Sequence, residues 1–139
     1  MSNNNNFLLS AVMVAGLGAM AALAAQAPAP APAHTIKEVM GAIHKVPTNA
    51  PAGEQSIVVK AKAGKATKAD IDKMVEYYSA LPANKPPQGD EASWKAKTEA
   101  LISAAISLQK SETNSVQKIN DAANCKACHS IHKGQTKAP

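Results

Sequence analysis

Cys125, Lys126, Ala127, Cys128 and His129 follow one another near the end of the chain, with only Ser130 to Pro139 after them. The order C-x-x-C-H is the attachment sequence of a covalently bound c-type haem. Each residue type has a task in that chemistry. The two thiols add across the two vinyl groups of the macrocycle and fix it as thioethers. The neighbouring imidazole becomes the proximal ligand of the iron. On a helix, Cys125 and Cys128 are three residues apart and Cys125 and His129 four, so all three share one face. His132, three residues after the proximal position, cannot reach the opposite side of the same haem. A second axial ligand must therefore come from upstream.

Two other readings of the same residues are weaker. A redox-active C-x-x-C belongs in a strand–helix–strand setting, and no alternating strand pattern is present. A zinc site built from Cys125, Cys128, His129 and His132 lacks the loop spacing of structural zinc sites. No Ser/His/Asp set, paired carboxylates or phosphate-binding loop stands out, so no enzyme activity is expected.

The elements that must position the motif read as helices. Thr35-Ile36-Lys37-Glu38 is a capping box. It opens a helix with Ile36, Val39, Met40, Ile43 and Val46 on one stripe, which Pro47 stops. Residues 48–56 form a loop, and the short run Ile57-Val58-Val59 is either an extension of that helix or a turn of its own. Thr67 and Asp70 start a second helix, with Ile71, Met74, Val75, Tyr78 and Leu81 at helical spacing. The turn-rich Pro82–Gly89 stretch leads to a third, capped by Asp90 or Ser93. Its stripe is Trp94, Leu101, Ala105 and Leu108, with Ile102 and Ile106 beside it. After a polar junction at 110–114, Val116, Ile119 and Ala123 begin a fourth helix that carries the motif and ends at Gly134. The expected fold is all-α, an antiparallel four-helix bundle with the haem on its C-terminal helix. Met74 and Trp94 read as core, Tyr78 as the inward member of the Tyr77–Tyr78 pair, and His34 as solvent-exposed.

Residues 1–24 read as a signal peptide: the uncharged apolar run Phe7–Ala25 precedes small residues suited to cleavage. At 19 residues the run is also close to the length of a membrane span, so an uncleaved anchor is the alternative. Residues 25–33 form an Ala/Pro linker of extended polyproline character. Residues 34–139 form the haem domain. Either fate of the leader places that domain outside the cytoplasm, in the periplasm or an equivalent exported location, where haem c attachment takes place.

The net charge is +5. Every cation is a lysine, and these are dispersed. Without arginine or a basic cluster, nucleic acid is not an expected partner. Dispersed lysines suit docking to redox proteins with an acidic surface. Aromatic residues are only 3% of the chain, so a buried porphyrin would supply apolar bulk that the side chains do not.

These residues resemble the class II c-type cytochromes, the family of cytochrome c′ and its low-spin c556-like relatives. The resemblance covers about Thr35 to Lys133 and rests on the C-terminal C-x-x-C-H, the helix count and Met40 in the first helix. Class I cytochromes c place the motif near the N-terminus and the ligand Met downstream, and here no downstream Met exists. The resemblance implies a single haem c between the first and last helices, with His129 proximal. In the c556-like members a first-helix Met is the sixth ligand, and Met40 holds that place. His44, one turn along and about 40° round the helix, is the alternative ligand. In cytochrome c′ itself the distal side is apolar and the iron five-coordinate, which implies NO or CO binding. Family members often carry an aromatic residue and then Arg three and four places after the haem His; here those places hold His132 and Lys133. The implied function is electron transfer, with homodimer formation open.

Overall fold

The computed structural model describes residues 31–134. The expected leader, the linker up to residue 30 and the tail after Gly134 lie outside the described residues. Among the described residues the structure is all-helical, without strands, and no helix is long and apolar enough to cross a membrane.

The first helix starts where its capping box places it. Thr35 accepts from the Glu38 backbone N–H at 3.3 Å, and Glu38 returns a bond to the Thr35 backbone N–H at 2.7 Å. α1 spans Ile36–Val39 and widens directly into a π-helical turn over Met40–His44. It stops two residues earlier than the apolar stripe implies. Lys45 is already extended (φ −110°, ψ 152°), and Pro47 disfavours helical backbone at Val46. Val46 is therefore 44% exposed rather than core.

α2 (Ile57–Lys62) is a helix of its own, burying Val58 and Ala61. α3 (Lys68–Ser79) opens on a second capping box, between Thr67 and Asp70, and buries Met74 and Tyr78. A 3₁₀ turn at Leu81–Ala83 follows. α4 (Glu91–Gln109) is capped by Asp90, whose carboxylate accepts from the Ser93 N–H at 2.7 Å. Its 19 residues span about 28 Å, and it packs against α3 and α5. Ser111 and Asn114, at φ 52° and 61°, make the left-handed corner into α5 (Ser115–Ala122).

The expected fourth helix is two helices. Ala123 ends α5, and α6 starts afresh at Cys125 and ends at His132, two residues before Gly134. Asn124 explains the break. Its side chain accepts from the Ala127 N–H at 3.1 Å, the N-cap arrangement that begins a new helix. Because α5 is short, only Ile119 and Ala123 of its stripe reach the core, and Val116 is 37% exposed.

The core runs through Val39, Ile43, Met74, Tyr78, Leu81, Trp94, Leu101 and Ile119. α2 is tied to its neighbours by polar bonds. Lys60 meets Asp70 at 3.1 Å, and Asn120 donates to the Lys62 carbonyl at 3.1 Å.

His34 differs from expectation. Its ring stacks on Tyr77 with centroids 4.0 Å apart and planes 5° from parallel, and it meets Glu76 at 3.3 Å. The half-buried imidazole thus docks the chain before α1 onto α3.

Candidate functional site

α6 places Cys125, Cys128 and His129 on one helical face, as their spacing requires. The π-helical turn carries Met40 and His44. All five side chains line a single cleft, together with Leu101, Ala122, Ala123 and Asn124. Residues more than eighty positions apart in sequence are brought together here. A π-helical turn is rare and often marks a functional position.

The cleft is narrow, about 30 Å³, roughly the share of one water molecule. Cys125 and His129 are exposed and Cys128 is half-buried. A macrocycle joined to both thiols must lie across the mouth or widen it. The donor chemistry fits such a group: two sulfurs for covalent attachment, one imidazole on the same helix, and a thioether and a second imidazole lining the same cleft.

The helix break serves this site. It leaves the Ala123 carbonyl without a helical partner, and two side chains supply bonds. Lys62 Nζ donates to it at 3.1 Å, and Cys125 Sγ donates to it at 3.7 Å. Burial pushes the Cys128 thiol above the usual range, against the pull of the Lys97 charge.

His44 and Tyr78 form a pair beneath the cleft. His44 Nε2 and Tyr78 Oη share a hydrogen bond of 3.1 Å, with ring centroids 5.8 Å apart. Burial, with the charges of His129 and Lys62 behind it, lowers His44 to about 4. Burial also raises the Tyr78 phenol well above its ordinary value. Both groups are therefore neutral at pH 7. His44 binds a proton more readily unfolded than folded, so its contribution weakens as pH falls. In the polypeptide without cofactor, stability should drop by about 3 kcal/mol between the ordinary histidine value and pH 4. Urea titrations at stepped pH check this, and His44→Leu should remove that part of the slope.

His132 stands apart from the cleft and fully inside. It is 2% exposed, bonds Ser93 Oγ at 3.2 Å and the Gln88 carbonyl at 3.2 Å, and meets the Trp94 ring edge-on at 5.5 Å. A four-ligand zinc site with the motif residues is not assembled. Among the described residues no group of three or more His, Cys, Asp or Glu is placed to hold a metal ion. His132 instead fixes the end of α6 to the start of α4. Gly89 permits this approach. It sits at φ +85°, and a Cβ there would lie 2.8 Å from His132 Nδ1 and 2.9 Å from the Ile131 carbonyl oxygen. Gly89→Ala should destabilise the fold by about 2 kcal/mol, seen as a lowered midpoint in thermal denaturation.

The motif residues, Met40 and His44 were all legible as candidates in the sequence, and all meet in the cleft. Tyr78, Lys62 and Asn124 were not legible as site residues. Asn124 was detectable in principle, as a capping residue just before the motif. Compared with known protein families, curated proteins and solved structures, the chain matches none.

Proposed function

We propose that this chain is a single-haem c-type cytochrome of the class II kind, an antiparallel helical bundle that carries electrons outside the cytoplasm. The observation that supports it most is the shared cleft. Cys125, Cys128 and His129 on α6 share it with Met40 and His44 on the first helix, and nothing in the local sequence requires that meeting.

In this reading Cys125 and Cys128 would hold the macrocycle covalently through their sulfurs. His129 would hold the iron from α6, with Met40 or His44 on the first helix as the other protein donor. When bound, the group provides an iron that alternates between ferric and ferrous states. The chain's own contribution is to leave no open coordination position and to hold both donors on packed helices, so that little moves when the charge changes. The buried Leu101 side chain gives the cleft an apolar wall. Lysines on the surface orient the protein toward acidic redox partners. Export and the leader's fate belong to the same proposal, because the thioether bonds are made outside the cytoplasm.

The test is the absorption spectrum of the purified holoprotein, ferric and ferrous, with and without CO. A low-spin spectrum unmoved by CO is expected. A high-spin spectrum that shifts at once with CO would replace electron transfer with diatomic gas binding.

A further inference from the structure

Resting on the haem reading, we propose that His44 is the second axial ligand of the iron, bound through Nδ1, and that Tyr78 is its positioning residue. Three observations carry this. First, His44, on the first helix, lines the same cleft as His129 on α6. Second, its Nε2 is already engaged by Tyr78 Oη at 3.1 Å. Ligating histidines are held in this way: one nitrogen bonds a neighbour, which fixes the tautomer and ring plane, and the other faces the metal. Met40 has no comparable handle, since a thioether offers no hydrogen to bond and its side chain is the more adaptable one. Third, Tyr78 is fully buried. A hydroxyl in that position costs free energy unless it is bonded, and His44 is its hydrogen-bond partner among the described residues. Phenylalanine would fill the same core space without that cost, so the phenol is there for the imidazole.

The step is balanced without any proton leaving. The Nδ1 lone pair forms the bond to iron, the hydrogen stays on Nε2, and Nε2–H donates to Tyr78 Oη. Met40 then packs beside the ligand.

The holoprotein decides it by low-temperature electron paramagnetic resonance and near-infrared magnetic circular dichroism of the ferric state. These separate two imidazoles from imidazole plus thioether. Two imidazoles are expected, unchanged in Met40→Leu. His44→Leu should become high-spin and bind CO. Tyr78→Phe should keep two imidazoles but weaken the hold on ferric relative to ferrous iron about tenfold. That raises the midpoint potential by about 59 mV. A thioether signature that survives His44→Leu and vanishes in Met40→Leu overturns the ligand assignment, as does a high-spin wild type. An unmoved potential in Tyr78→Phe overturns the positioning role. The wild-type spectrum and the Tyr78→Phe variant decide the question even if His44→Leu fails to fold. A chain that carries no covalent haem at all refutes the underlying haem reading instead, and a pyridine haemochrome assay run first distinguishes that case.

Discussion

A Cys125→Ala/Cys128→Ala chain, exported from a host with haem-attachment machinery, should show no haem after denaturing electrophoresis, where the parent chain should keep one haem per polypeptide. Thioether bonds survive denaturant and axial bonds do not, so the effect is all or none. Each single variant retains one sulfur and should keep a covalent haem at reduced yield. The loss should also reach the fold. A group bound only by the folded chain adds stability by mass action, and a covalent one remains at hand through every unfolding event. The double variant should therefore melt well below the holoprotein. Haem stain, mass spectrometry and thermal denaturation check the three statements separately. A double variant that still stained for haem would show attachment elsewhere.

Trp94→Ala should be the most damaging single substitution away from the motif. Trp94 is 5% exposed, and its Nε1 donates to the Leu81 carbonyl at 3.1 Å. Its ring also receives His132 edge-on. One side chain thus joins the turn after α3, the start of α4 and the end of α6. Removing it opens a cavity and strands a carbonyl, at about 3–5 kcal/mol. Domains of this size hold only about 5–15 kcal/mol in total. Urea denaturation followed by circular dichroism is the measurement, because Trp94 is the sole tryptophan and fluorescence leaves with it. Trp94→Phe keeps most of the packing and loses the hydrogen bond, so about 1–2 kcal/mol is expected there.

The helix starts at Thr35, Thr67 and Asp90 were readable from the sequence because a cap is a local event, decided within four residues. Helix interiors were readable where the apolar stripe was long, as at Met74–Tyr78 and Trp94–Leu108. The failures share a different cause. The π-helical turn at Met40–His44, the separate α2 and the exposure of Val46 and Val116 depend on what each segment packs against. The break at Asn124 was hidden inside a pattern that continues through it, Ile119, Ala123 and then the motif. His34 looked like a surface residue because its partner Tyr77 lies far along the chain, on α3. The site followed the same rule. The motif suggests a chemistry from five adjacent residues, whereas the Tyr78–His44 bond joins residues 34 positions apart and has no signature along the chain. His132 shows the converse. The sequence set it aside as a haem ligand and allowed it a zinc site by residue type alone, and tertiary contact with Trp94 and Ser93 makes it a structural clamp.

The most direct single measurement is the reduced spectrum of the purified, exported chain in alkaline pyridine, taken after acid-acetone extraction of any haem held only by its axial bonds. Haem attachment at Cys125 and Cys128 predicts one haem per chain that stays with the polypeptide and gives the haemochrome of a ring with both vinyl groups saturated. A chain that gives up all its haem to the solvent, or never held any, would contradict the attachment and the electron-carrier function built on it.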